Sequence, residues 1–207
     1  MTFRNKPTSR IISPQRVDVT TAATSDPLSL DDAKDFARIA GDDDDNTVRR
    51  LIGSATNYLE AITGRRFVNT TLTAYFDAFP AADEDYLELR HLPVSSVSSI
   101  KYIDADDGTT NTWTAAEYDV DNVSENIPCR ITTDYSYSWP SVRDEQNAVR
   151  VEFVSGYGSS HTSVPDDVKH AIALLVSHWF THRDLQSTGS MPFVLKSMID
   201  KLRWDAP

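Results

Sequence analysis

The chain has 207 residues, 40% of them hydrophobic and 10% aromatic, enough for one well-cored domain and too much for wholesale disorder. Its formal net charge of -11 runs opposite to the clustered Lys and Arg that gripping DNA phosphates requires. An acidic wall does suit a passage through which DNA slides, because it repels phosphate and prevents sticking.

Residues 1–26 contain eight Ser or Thr, and the first sixteen carry four Lys or Arg without an acid. So little apolar surface does not offset the entropy of ordering, and the segment is predicted to be a flexible arm. Ser29 then caps a predicted helix from Leu30 to about Ala40, with Asp31 and Asp32 in its first turn and Leu30, Ala33, Phe36 and Ala37 on its apolar face. Gly41 ends it. The second helix, Asn46 to Gly64, places Val48, Leu51, Ile52, Ala55, Leu59 and Ile62 along one stripe. Asp42, Asp43, Asp44 and Asp45 precede it, where free N–H groups favour carboxylates. A calcium loop needs a turn glycine and a distal Glu at fixed offsets, and both are missing, so capping and solvation explain the four aspartates better.

From Phe67 the period changes from helical to alternating. Thr71 to Phe76 and Tyr86 to Leu89 read as half-buried strands, and Val94 to Asp104 as a third. Asp107-Gly108 marks a hairpin turn, with Trp113 to Val120 as the predicted return strand. A further hairpin is predicted from Ile127 to Tyr137 and Ala148 to Val154. Gly156 and Gly158 follow, without the third glycine and the acidic partner of a nucleotide loop, and read as a backbone bend. The next helix starts near Pro165, with Val168, Ala171, Ile172, Leu175, Val176 and Trp179 at helical spacing. Pro192 opens a last amphipathic helix, apolar at Val194, Leu195, Met198, Ile199 and Leu202, which suits packing on its own domain or on a neighbour.

No constellation of side chains spells out a reaction. The single cysteine, Cys129, excludes an internal disulfide and fits a reducing setting, and nothing beyond Arg130 would activate its thiol. His178 and His182 stand four apart, but Trp179, Phe180 and Thr181 lie between them, with no Glu for a metalloprotease base and no third ligand indicated. Serine never occurs in a Gly-x-Ser-x-Gly elbow. No catalytic residue, cofactor or metal is expected. The chain shows no signal-peptide run and no window of ~18 apolar residues, so a soluble, unexported protein without a membrane partner is expected.

Several segments together resemble the tailed-phage head-tail connector (adaptor) proteins. They are Leu28 to Arg38 with its acidic loop, Leu59 to Phe67, His91 to Asp104, Ala148 to Gly158, Pro165 to Arg183 and Pro192 to Arg203. The last four look like the longer branch of that family, found in phages, prophages and gene transfer agents. The resemblance implies a small helical bundle assembled as a ring of about twelve subunits under the portal, extending the DNA channel and presenting a surface to the next neck, stopper or tail protein. DNA would pass transiently, without sequence-specific binding. In such connectors a C-terminal segment docks on the portal, which carries over here to Phe193, Val194, Leu195, Met198, Leu202 and Trp204. Location at the head-tail interface of a virion, after assembly in the bacterial cytoplasm, follows from the same resemblance.

The expected fold is therefore α+β: a bundle of about four helices with an antiparallel β insertion between the second and third. Residues 27–66 and 161–207 would form the bundle and 67–160 the insertion. A non-enzymatic binding module, a β domain on a helical base, is the alternative, and it need not form a large ring.

Overall fold

The computed structural model describes residues 11–81, 85–122, 124–182 and 193–203. The chain divides into two compact units. One comprises residues up to Thr20, Thr71–Arg90 and Val94–Val154; the other comprises Thr21–Thr70, His91–Pro93 and Ser155 onward.

The first unit is built from two sheets. Strands β1 (Ile11–Ile12), β4 (Tyr86–Leu89), β8 (Cys129–Thr133) and β7 (Tyr118–Asp121) form a four-stranded sheet in the order β1-β4-β8-β7. Strands β2 (Arg16–Thr21), β3 (Thr70–Phe76), β9 (Val149–Ser155), β5 (Val94–Ile103) and β6 (Thr110–Thr112) form a five-stranded sheet in the order β2-β3-β9-β5-β6. Alternation decides which face is inside. Leu72, Ala74 and Phe76 on β3 and Val149, Val151 and Phe153 on β9 are fully buried, while Thr71, Thr73, Tyr75, Arg150 and Glu152 face outward. Leu87, Leu89, Cys129 and Ile131 of the smaller sheet join the same core. Aromatic rings fill one end: Phe79 lies 5.2 Å from Trp139 and 5.3 Å from Trp113, which in turn lies 5.0 Å from Tyr118.

This arrangement corrects the expected topology. The β region is not an insertion between the second and third helices, because both sheets take a strand from before the first helix. β1 pairs in parallel with β4, Ile11 opposite Tyr86, and β2 forms an edge of the larger sheet. Ile11–Ile12 and Arg16–Thr21 of the expected arm are therefore strand, with residues 1–10 outside the described part. The two late strands do not form a hairpin either, since β8 pairs with β4 and β7 whereas β9 belongs to the other sheet. The return strand after the Asp107-Gly108 turn is Thr110–Thr112, in register with Lys101–Ile103. Trp113 leaves the strand and enters the core at 3% exposure.

The second unit is helical. Helix α1 (Leu30–Ala37) starts at Ser29, whose hydroxyl accepts from the Asp32 N–H at 3.1 Å. It stops at Arg38, in the left-handed region at φ 56°. Helix α2 (Asp45–Thr63) ends on Gly64 at φ 68°, a conformation that glycine adopts without steric cost. Helix α3 (Asp166–Thr181) follows Pro165, and α4 (Phe193–Leu202) packs against α2 and α3. Val48, Ile52, Ala55 and Leu59 of α2 meet Val168, Ala171, Ile172, Leu175 and Val176 of α3 in one core. Each buried Val, Leu or Ile among them contributes about 1.5–3 kcal/mol by burial, so the contact between these two helices is a large source of stability. No helix among the described residues is long and apolar enough to cross a membrane.

Gly53, inside α2, is a correctable weakness. A Cβ there meets no atom within 4 Å. Gly53→Ala is expected to raise stability by about 1 kcal/mol, the usual glycine cost inside a helix, read as a higher thermal midpoint. An unchanged or lower midpoint would show that the site is not open helix surface.

Candidate docking site

Of the six predicted docking residues, the structure describes the side chains of three. Leu195 is buried at 2% in the helical core, next to Ile199 at 5%, while Met198 and Leu202 pack only partly against it. Phe193 opens α4, but its side chain and that of Val194 lie outside the described part, as does Trp204. The amphipathic pattern thus turns Leu195 and Ile199 inward. Met198 and Leu202, with Asp167, Ser197 and Lys201, line a groove of about 200 Å³ beside α3.

Polar contacts fix the far end of α4. The last carbonyls of a helix lack intrahelical donors, and a cation there also meets the negative helix end favourably. Arg65, only 3% exposed, supplies both: its Nε donates to the Leu202 carbonyl at 2.6 Å and its Nη1 to the Tyr157 hydroxyl at 3.1 Å. Lys201 Nζ meets Asp167 Oδ2 at 2.6 Å, and that hydrogen bond holds the Asp167 carboxyl below the usual carboxylate range. Sequence reasoning missed Arg65. A partner 137 positions away leaves no local signal.

The aspartate run is only partly free. Lys34 Nζ lies 2.6 Å from Asp45 Oδ1 and 3.3 Å from Asp42 Oδ1, and the hydrogen bond to Asp45, ahead of the other influences, raises the lysine's pKa. Asp45 also faces Arg49 at 3.8 Å. Asp44 is the N-cap residue of α2, without a side-chain capping bond. Asp42 remains 94% exposed, so the loop presents carboxylate to solvent.

The His178 and His182 rings lie tilted by 33° with centroids 4.7 Å apart, and His182 Nδ1 is 3.1 Å from the His178 carbonyl oxygen. Among the described residues no group of three His, Cys, Asp or Glu is placed to hold a metal ion. Cys129 is 1% exposed, and burial, helped by the Asp121 charge, pushes its thiol up to about 12. A disulfide reagent should therefore label Cys129 only as fast as the protein opens, and fully in denaturant. Rapid labelling of the native protein would contradict that burial.

The sequence as a whole now decides the family. A profile of the head completion protein family matches residues 27–191. The chain belongs to that family. Head completion proteins are structural parts of phage-like particles, and this one is not an enzyme. The solved structures it resembles agree with this in fold. One, in the neck of an empty gene transfer agent particle computed with C6 symmetry, is 21% identical, with a TM-score of 0.78 over 93% of this chain and 97% of that one. A second, in the virion of a native gene transfer agent particle, is 21% identical, with a TM-score of 0.75 over 92% and 96%. A third, from the neck of a native particle computed with C12 symmetry, is 20% identical, with a TM-score of 0.72 over 93% and 97%. No curated protein sequence matches this head completion protein.

Proposed function

We propose that this head completion protein is the connector between head and tail of a tailed phage or phage-like particle, assembled as a ring below the portal. The observation that carries this reading is the correspondence of nearly the whole chain, 93% of it, with 97% of a protein in a gene transfer agent neck. Because the likeness runs through both units, the β strands belong to the connector as much as the helices. The C6 and C12 symmetries of the neck structures support a cyclic assembly, in which each copy contacts the next through two different surfaces.

In this reading α4 docks on the portal and another surface meets a neck, stopper or tail protein. Phe193, Val194, Leu195, Met198, Leu202 and Trp204 remain the proposed docking set. Since Leu195 already serves the chain's own core, docking that leaves the fold intact falls, among the described members, to the half-buried Met198 and Leu202. Asp42 to Asp45 are proposed to face the DNA passage and keep the duplex mobile by repulsion. Neutralising all four to Asn is expected to increase DNA retention in assembled particles, and unchanged retention removes them from that role.

The test is native mass spectrometry of the full-length protein mixed with a portal assembly from a related particle. A complex carrying about a dozen copies is expected. A protein that associates with neither portal nor neck components would instead be a separate binding module.

A further inference from the structure

Identical copies that each carry a charge of -11 repel one another, so a ring of them is favoured by a locally basic surface on every copy. Among the described residues, several cations of the β unit already have acidic partners. Arg90 pairs with Glu88 at 2.8 Å and Arg143 with Glu145 at 3.9 Å, while the Arg130 guanidinium, on the smaller sheet, lies 4.9 Å from the Tyr86 ring centroid. Lys101 and Arg150 pair with no carboxylate among the described residues, and both are exposed on the outer face of the five-stranded sheet. On the same face Tyr75 occupies the strand between β2 and β9. The Arg16 guanidinium lies 4.2 Å from the Tyr75 ring centroid, and that of Arg150 lies 6.0 Å from it. Arg16 is offset by Asp18 at 3.0 Å. The result is an exposed plate of aromatic and cationic groups on an acidic protein.

A complementary surface lies elsewhere on the same unit. Strand β7 is an edge of the four-stranded sheet, and Asp119 on it is exposed. Glu117 and Asp134 stand beside it, joined by the Asp134 N–H donating to the Glu117 carbonyl at 3.1 Å. None of these three carboxylates makes an ion pair among the described residues. The next residue, Tyr135, is 101% exposed, at the tip of a turn set by the Tyr137 N–H on the Asp134 carbonyl at 2.9 Å and the Ser136 N–H on Asp134 Oδ1 at 3.2 Å. A preorganised turn that holds an aromatic side chain in water loses little entropy when that side chain is covered.

Resting on the ring assembly proposed above, we infer that the acidic, Tyr135-tipped edge of β7 on one copy docks on the Arg16–Tyr75–Arg150 plate of the next. The two surfaces differ and share one unit, so the contact is heterologous and propagates around a ring. Tyr135 supplies the apolar anchor against Tyr75 and the guanidiniums, and the carboxylates select orientation. Glu152 and Asp18 on the plate suit a protein partner better than a phosphate backbone, which they would repel.

The experiment places a photo-crosslinking benzoylphenylalanine at position 135 of the full-length protein and mixes light and 15N-labelled copies with the portal assembly. Crosslinked peptides are then identified by mass spectrometry. Mixed-isotope crosslinks from position 135 to peptides carrying Tyr75 or Arg150 are expected. Arg150→Glu should cut their yield about tenfold, and Asp119→Lys in the same chain should restore it. Portal-bound copies whose crosslinks fall on other surfaces overturn this contact and leave the neck reading intact. Inter-copy crosslinks at the expected peptides without portal binding support the contact and count against the neck reading. An absence of inter-copy crosslinks, or a plate that retains duplex DNA until Arg150→Glu is introduced, overturns the contact.

Discussion

Gly156→Ala is expected to destabilise the protein by about 3 kcal/mol or more. Two causes add. Gly156 sits at φ +139°, which an L side chain rarely adopts. A Cβ there would also lie 2.5 Å from the Asn69 nitrogen, 2.6 Å from the Val68 carbonyl carbon and 2.7 Å from the Asn69 Cα. These are backbone atoms, so no side-chain rotation relieves the overlap. The backbone is pinned on both sides as well: the Gly156 N–H donates to the Pro93 carbonyl at 2.9 Å, and the Asn69 N–H to the Gly158 carbonyl at 2.8 Å. Urea unfolding of the alanine variant should give a lower midpoint with an unchanged slope. A loss under about 1 kcal/mol would mean that the two segments do not approach so closely.

This close approach marks where the sequence stops being informative. A glycine pair after a strand does indicate a bend, but which backbone the bend admits is decided by tertiary packing. The helices were legible because their ends carry their own chemistry, as Ser29 and Asp32 do at α1 and Gly64 does at α2. Strands β1 and β2 were not. Ile11–Ile12 spans only two residues, and Arg16–Thr21 is an exposed edge strand whose order comes from its neighbour rather than from its own apolar content. Strands β8 and β9 follow one another in sequence, which suggests a hairpin. Partner choice between two packed sheets has no local signature, and they separated. In α4 the pattern identified an amphipathic helix correctly, yet it did not say whether Leu195 faces its own core or a partner. Burial at 2% answers that.

Replacing Arg65 by alanine is expected to cost about 2–4 kcal/mol, because it removes a buried cation whose acceptors lose their donor and have little water to replace it. The Leu202 carbonyl loses its 2.6 Å bond and the Tyr157 hydroxyl its 3.1 Å bond. The effect should be concentrated in α4. That helix has ten residues, too few to hold itself in water, so it depends on Leu195 and Ile199 in the core and on Arg65 at its end. Hydrogen exchange in the variant should therefore accelerate across Phe193–Leu202 well before α2 is affected. Lys201→Ala gives the contrast. Its partner Asp167 is 59% exposed and Lys201 73%, so the loss should stay within about 0.5 kcal/mol. Equal exchange of α4 in wild type and Arg65→Ala would show that the apolar contacts alone seat the helix. Accelerated exchange would make Arg65 the residue that holds α4 in place.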